Sequence, residues 1–570
     1  MRIPRGALPA LAAIALIAGA CGGDPVATPS PSPIVSPAAT ATPGSTVIPF
    51  APAPFPADGT ACGTPGYAGR LGRIEAVDAT TIQFTLCAPD GAFLARLAHP
   101  ALDILDSSSI ERLAVDPGAT TLAGTGPYRI DRWVPGENVA LARVDAKASD
   151  VARSPLVVLT WAGDPAVRTS SLTEATVDGI DAPGPAELDQ IATLPELVVT
   201  PRPGMATAIL VFGSGPAFAG ARVRRAIAGA IDRATLTATA FPAGSLVPTH
   251  LTPCIVPGAC GGRAWYDFNA PAASAVLADA SFDLERTYPL HVPDAPLPGL
   301  PDPLGAAQAV KDQLAANIGL TTEIDVMPAA DFRAAAAAGR LDGLYLDGIA
   351  SSVADASGFL EPVFGDGVRT TPARRASGVT TALVAAAATA DPEARAAAIG
   401  RANTAIRSSA VVVPLAHPGS VVAFRSDVDG VATSPLGLDP LGAATPGDRP
   451  QLVFQQAAEP AGAWCGDQPS FDAYRLCGLV FEGLYGFAAG TLEPQPRLAR
   501  ACTADATATV WTCRLRSGVT FGDGSRVDAG DVLATFVAQW DAAGPIRSAA
   551  APGAFAAWDE LFGGPVNAGG

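Results

Sequence analysis

The run LRSGVTFGDGSRVDAGDVLATFVAQW, residues 515–540, holds a strand, a turn and a helix in immediate succession. The strand ends in the turn Gly522-Asp523-Gly524, the chain restarts at Asp528, and an apolar-periodic segment follows. Asp528 stands where a helix needs a side-chain acceptor for its unpaired first amides. Asp531, three residues on, adds a second carboxylate at the positive end of the helix dipole. The two aspartates therefore read as caps, not as catalytic acids.

Upstream, ACTADATATVWTCRL (501–515) has the pattern of a hairpin, with Cys502 and Cys513 placed to face each other across it. The same alternation of strand and helix patterns runs through the chain from residue 60 onward, which is the signature of an α/β architecture. RIEAVDATTIQFTLCAP (73–89) reads as two strands around Asp78-Ala79, and GPYRIDRWVPGENVALARV (126–144) as a hairpin turning at Pro135-Gly136. ATAILVFGSG (206–215) is a buried strand by its continuous apolar run. RVRRAIAGAIDRATLTATAF (222–241) reads as one helix with Ala226, Ile227, Ala230 and Ile231 on its apolar side. AAQAVKDQLAANIGL (306–320) is a helix closed by Gly319, followed by the strand TTEIDVM; residues 380–408 are Ala-rich and helical.

Composition narrows the function. The 570 residues carry Lys+Arg 37 against Asp+Glu 54, a net charge of -17, which disfavours nucleic acid as a partner because phosphate neutralisation needs clustered basic groups. The only lysines are Lys147 and Lys311, and neither lies in a phosphate loop or an SxxK acylation motif. GxSxG and HExxH are absent, and His99, His250, His291 and His417 are scattered, so no catalytic residue, metal site or cofactor is assigned and the chain does not read as an enzyme.

Residues 1–21 read as an export signal: Arg2 and Arg5, an apolar stretch from Ala7 to Ala20, and Ala18-Gly19-Ala20 before Cys21. The small residues before Cys21 resemble a lipobox, which would make Cys21 a lipidated amino terminus holding the protein outside the cytoplasm at the cell membrane by its lipid alone; an ordinary secretory signal cleaved nearby is the other reading. Residues 22–59, with stretches such as TPSPSPIVSPAATATPGS, read as an extended tether. Setting Cys21 aside, eight cysteines remain, an even number that in an exported chain favours disulfides. Spacing points to Cys254 with Cys260, Cys465 with Cys477 and Cys502 with Cys513, leaving Cys62 with Cys87.

Several blocks together resemble a known family. FGDGSRVDAGDV is similar to the "F-x-DG-x-P-(L/V)-TA-x-DV" block of the family 5 extracytoplasmic solute-binding proteins, the peptide, dipeptide and nickel binders of ABC importers. VFEGLYGF (480–487) with LEPQPRLA (492–499), TGPYRIDRWVPGENVAL (125–141), VRRAIAGAIDR (223–233) and YDFNAPAASAVLADASF (266–282) resemble further blocks of that family. Their order departs from it. The blocks that come first in the family lie here at 478–532, after those at 124–233. Reading 451–570 and then continuing at about Gly66 restores the family order, as in a circular permutant joined near Thr445-Pro446-Gly447; a truncated tandem of two receptors is the alternative.

The resemblance implies a two-lobe α/β periplasmic-binding-protein fold of type II, in the large peptide-binder class. Lobe I would take 60–205, the return 425–450 and 451–570; lobe II would take 206–424, with ATAILVFGSG and VVVPLAHPGSVVAF (411–424) as the crossover hinge strands. It implies a small solute, with peptide favoured, enclosed by lobe closure, and an importer permease and ATPase as partners. In ADASGFL (354–360), Asp355 matches the aspartate that pairs with a peptide's amino terminus in this family, and Phe359 the aromatic position, although the flanking prolines and preceding aromatics of the family segment are missing; a helix cap or a solvated loop residue is the other reading of Asp355. Trp464 and Phe471, in GAWCGDQPSF (462–471), are candidate walls of the cleft, with core packing of Trp464 beside Cys465 as the other reading. A secreted hydrolase and an envelope scaffold that has kept the fold without binding solute are the alternative functions.

Overall fold

A computed structural model describes residues 50–145, 152–368, 370–468 and 470–568. The signal, Cys21 and most of the expected tether lie outside these residues. Along the chain, β1 (Ala53–Phe55), β2 (Leu71–Asp78) and β3 (Thr81–Leu86) begin a first sheet. A second is begun by β4 (Tyr128–Val134), β5 (Asn138–Arg143), β6 (Leu156–Trp161), β7 (Gly179–Asp181) and β8 (Leu197–Arg202). The third is made entirely by β9 (Ala206–Phe212), β10 (Tyr288–Pro293), β11 (Thr322–Met327), β12 (Leu344–Ala350) and β13 (Val412–Ala416). β14 (Ser420–Arg425) and β15 (Leu452–Gln456) return to the second sheet. A ribbon of β16 (Tyr485–Phe487) and β17 (Pro494–Pro496) follows, and β18 (Ala499–Ala504) and β19 (Val510–Leu515) complete the first sheet.

The strand orders show how distant segments combine. The first sheet runs β1-β2-β3-β19-β18, the second β4-β5-β6-β15-β7-β14-β8 and the third β11-β10-β12-β9-β13. β15 lies between β6 and β7, parallel to both, with Leu452 opposite Val157 and Phe454 opposite Gly179. β19 pairs with β3, setting Trp511 against Phe84 and Cys513 against Ile82. The apolar faces of that sheet and of the helix Ala529–Trp540 then close one aromatic cluster: Phe84 lies 5.2 Å from both Phe93 and Phe536, and Phe93 lies 5.3 Å from Trp511. The described residues between 451 and 568 thus pack into the same body as those between 71 and 202. Further bonds tie the two, from Arg96 Nη1 to the Leu561 carbonyl at 2.9 Å and from Gln539 Nε2 to the Ala101 carbonyl at 2.9 Å.

The helix that follows Gly522-Asp523-Gly524 starts as its sequence dictates. Asp528 Oδ1 accepts from the Gly530 and Asp531 amides, and Asp531 Oδ2 accepts from the Asp528 amide, closing a capping box. Asp531 Oδ1 also accepts from the amide and hydroxyl of Ser107 at 2.9 and 2.8 Å, so the cap doubles as a joint to the early part of the chain. Substituting Asp528 by alanine is expected to lower stability by about 1 kcal/mol, read as a shift of the urea midpoint without loss of fold. The four cysteine pairs Cys62–Cys87, Cys254–Cys260, Cys465–Cys477 and Cys502–Cys513 are disulfide-bonded.

Three expectations shift. The single helix expected over 222–241 is two, Ala221–Gly229 and Arg233–Ala240, because Asp232 takes extended backbone and its carboxylate accepts from the Ala234 and Thr235 amides. The stretch expected as tether up to 59 joins the fold from Phe50: β1 pairs antiparallel with β2, and Phe55 meets Trp540 edge-on at 5.3 Å. Two aromatic side chains supply the apolar area that the Pro/Ala/Ser/Thr run before them lacks. The crossings between the second and third sheets fall in the short links 203–205 and 417–419; β14, assigned from sequence to the second lobe, pairs with β7 and β8.

Candidate functional site

The two links between sheets meet at close quarters. A Cβ on Gly204 would lie 1.9 Å from the Pro418 carbonyl oxygen, and one on Gly419 would lie 2.3 Å from that of Gly244. Only a residue without a side chain lets the two passages touch here. Beside them opens a cavity of about 460 Å³, furnished from every part of the chain that converges there. Arg202 comes from the end of β8, Met205 from the first link, Ser420 from the start of β14 and Ser351 and Ser352 from just after β12; Phe471 and Glu560 come from the carboxyl-terminal segment. Its volume falls in the range of small-molecule sites.

At the cavity and away from it, hydrogen bonds and an ion pair bridge the surroundings of the third sheet to the rest. Glu560 Oε1 accepts from the Ser352 amide at 2.6 Å and from the Ser351 hydroxyl at 3.3 Å. Arg70 forms an ion pair with Glu361 at 2.6 Å, and the Gly91 amide donates to the Ala387 carbonyl at 2.9 Å. Beneath the cavity runs a buried charge network. Arg202 donates to Asp181 at 2.7 Å and pairs with Asp439. Arg475, fully buried, reaches Asp181 at 2.8 Å, Asp439 at 3.3 Å, Asp472 at 3.4 Å and Gln456 Oε1 at 2.9 Å, and lies over the Phe454 ring.

Burial alone would raise the pKa of Asp181, but Arg475 and Arg202 outweigh it and hold the carboxyl at about 2. Burial likewise works against the charge on Arg475, yet Asp181, Asp439 and Asp472 keep its pKa well above the ordinary arginine value. The sign of the linkage follows. A carboxyl depressed below its unfolded value of about 4 stabilises the fold above that pH, and the contribution is lost as the pH falls through 2. The urea midpoint is therefore expected to drop between pH 4 and pH 2, and to drop less steeply in Asp181→Asn.

The residues singled out from sequence part company here. Phe471, 48% exposed at the start of the helix Phe471–Val480, lines the cavity. Trp464 is buried, edge-on to Phe555 at 5.9 Å, next to the Cys465–Cys477 bond, so it is core. Phe359 is fully buried in the helix Ala356–Phe364. Asp355 caps that helix, accepting from the Ser357 amide at 2.8 Å, and both its oxygens are held by Arg395, with Nε to Oδ2 at 3.0 Å. Its carboxylate is thus engaged by Arg395, forty positions away in sequence and invisible to a local motif. Sequence reading missed Arg202, Arg475, Asp181 and Asp439, which carry no shared motif and meet only in the fold.

The histidines form no shared centre. His99 is fully buried, accepts from the Ala101 amide and has its pKa pushed down to about 3 by burial. His417, in the second link, bonds through Nδ1 to the Thr207 hydroxyl at 3.0 Å. His250, Cys254 and Cys260 are the one group of potential metal ligands among the described residues whose donor atoms lie within 4.8 Å of one another, and there the two sulfurs are bonded to each other.

A mixed α/β body whose second and third sheets are joined by two adjacent links has the fold of a type II periplasmic binding protein. HbpA2 from Haemophilus parasuis shares it, with a TM-score of 0.59 and 22% identity over 66% of this chain and 75% of that one. Residues 55–370 match the model of the bacterial extracellular solute-binding proteins, family 5 (Middle), and the chain belongs to that family. Among its relatives, the probable ABC transporter periplasmic-binding protein SapA of Escherichia coli K12 is 26% identical over 393 residues, 65% of this chain and 69% of that protein. Heme-binding protein A of Haemophilus influenzae is 25% identical over 389 residues, with the same shares. The family and these relatives are binding proteins, not enzymes.

Proposed function

We propose that this protein is the solute-binding component of an ABC importer, capturing a peptide or other small polar solute outside the cytoplasmic membrane by closure of two lobes. Lobe I takes the first and second sheets, whose strands lie between residues 53 and 202 and between 420 and 515, and lobe II the third sheet, whose strands lie between 206 and 416. The observation that carries this reading is the cavity at the double link, which draws its walls from both. A solute touching both sets of walls binds the shut form better than the open one, and that difference in affinity is what moves the equilibrium. The ion pair Arg70–Glu361 and the bonds of Glu560 to Ser351 and Ser352 belong to the shut form. The chain itself hydrolyses nothing in this reading, and ATP is consumed by the importer's own ATPase.

The altered order of the family blocks is read as circular permutation, with 451–570 as the family's opening segment. The insertion of β15 between β6 and β7 and of β19 beside β3 supports it. Among the described residues no helix is long and apolar enough to cross a membrane. Attachment is assigned to a lipid on Cys21, to be checked by mass spectrometry of the amino-terminal peptide from membranes.

Native mass spectrometry of the purified protein, before and after partial unfolding, tests the receptor reading. A released small molecule whose return raises the melting temperature and shrinks the radius of gyration is the expected result. A reproducibly empty protein, with no thermal shift across a panel of peptides and polar solutes, overturns it in favour of a scaffold.

A further inference from the structure

Next to the cavity at the links, and sharing Pro298 and Ala350 with it, lies a second cavity of about 430 Å³ against one face of the third sheet. Strand alternation decides what that face offers. On β9 it carries Ile209 and Val211, and on β12 Tyr345, Asp347 and Ile349; the register sets Tyr345 opposite Val211 and Asp347 opposite Ile209. Val363 and Val412 extend the apolar wall. Two polar groups break this surface, two residues apart on one strand and hence on the same side.

Both are short of partners. Tyr345 is only 4% exposed, its ring meets Phe332 edge-on, and among the described residues no group hydrogen-bonds its hydroxyl. Asp347 accepts from the amide of its own neighbour, Gly348, at 2.8 Å. Arg333 lines the same cavity, yet among the described residues Asp347 has no ion pair. Burial pushes the Asp347 carboxyl up to about 6, against the smaller opposing pulls of the Gly348 amide and the Arg333 charge. Asp347 is half-buried, and both groups line this cavity, which is of ligand size and largely apolar, with polar atoms of one strand at one place.

We propose that this cavity binds an organic cation, its protonated amine held between the Asp347 carboxylate and the Tyr345 hydroxyl and its aromatic or aliphatic body against Ile209, Val211 and Val363. The proposal rests on the receptor reading and deepens it, naming a hydrophobic amine as the part of the solute that the second lobe selects. It also moves charge recognition from Asp355, which Arg395 occupies, to Asp347, whose second oxygen is open.

Isothermal titration of the full chain with 2-phenylethylamine, against its neutral isostere 2-phenylethanol, tests this at pH 7.5, a condition chosen to keep the amine charged. The amine is expected to bind at least about tenfold more tightly than the alcohol, as for a charge-assisted bond in a dry site. Asp347→Asn should erase that preference while leaving the alcohol's affinity unchanged, and Tyr345→Phe should weaken the amine about threefold or more. Circular dichroism and melting temperature confirm that both variants fold. Equal binding of amine and alcohol, no binding of the amine, or an Asp347→Asn variant that still prefers the amine overturns the proposal. The two readings separate cleanly: a co-purified solute with no amine binding sinks the cation site alone. Amine binding with the stated preference, in a protein that yields no solute and does not contract, supports the site and sinks the receptor reading.

Discussion

Replacing Arg475 by methionine is expected to remove about 3–5 kcal/mol of folding stability. The guanidinium is fully buried and serves three carboxylates, Asp181, Asp439 and Asp472, as well as the Gln456 side-chain oxygen. Without it, Arg202 alone faces Asp181 and Asp439, and one buried negative charge has no counterpart. Methionine fills most of the volume of the stem but removes the guanidinium that lies over the Phe454 ring, so the loss reports charge and cation-π contact more than a void. The denaturant midpoint should fall with little change in slope. Lysine at this position should lose less than methionine and more than nothing, since a single ammonium cannot reproduce the planar fork. Adding Asp181→Asn to the methionine variant should recover part of the loss. A methionine variant within about 1 kcal/mol of the wild type would mean that the network is solvated and contributes little.

The second large effect concerns Asp355. Its substitution by alanine is expected to lower stability by about 3 kcal/mol, because Arg395 is then buried without a counter-ion and the helix Ala356–Phe364 loses its cap. Burial opposes ionisation of Asp355, but Arg395 more than offsets it, and the carboxyl is held below its ordinary pKa. Arg395→Ala should do comparable damage, and the double variant should lose clearly less than the sum of the two. Thermal unfolding of the three variants gives the coupling directly. If Asp355→Ala instead keeps full stability and selectively weakens peptides with a free amino terminus over acetylated ones, the ion-pair account fails and the family role returns.

What the sequence disclosed and what it concealed divide along physical lines. Hairpins and caps are local: Asp78-Ala79 turns β2 into β3, Gly319 ends its helix at φ +71°, and Asp528 with Asp531 opens another. Each depends on residues within a few positions, so pattern and propensity suffice. The site is not local. Asp181, Arg202, Asp439 and Arg475 sit on four separate segments, and nothing in their flanks announces that they meet. The helix over 222–241 broke for an intermediate reason: its apolar periodicity runs on through Ala230 and Ile231, while the Asp232 cap, a short-range signal in its own right, interrupts the backbone. Asp355 was legible as an aspartate ahead of a helix, but its partner, Arg395, belongs to the helix Pro392–Ser409.

The place of β15 in the second sheet bears on how the molecule comes into being. Leu452 pairs with Val157 and Gln455 with Ile180, so the middle of that sheet stays vacant until nearly the whole polypeptide has emerged. The third sheet, whose strands all lie between 206 and 416, needs no such wait. The topology therefore predicts an ordered assembly, with the centrally encoded third sheet forming first and the edges of β6 and β7 standing open as templates for any stray strand in the meantime. A chain with this schedule is expected to gain from anything that shields those edges, and slowed synthesis past residue 450 should send it into aggregates before any defect shows in the mature fold.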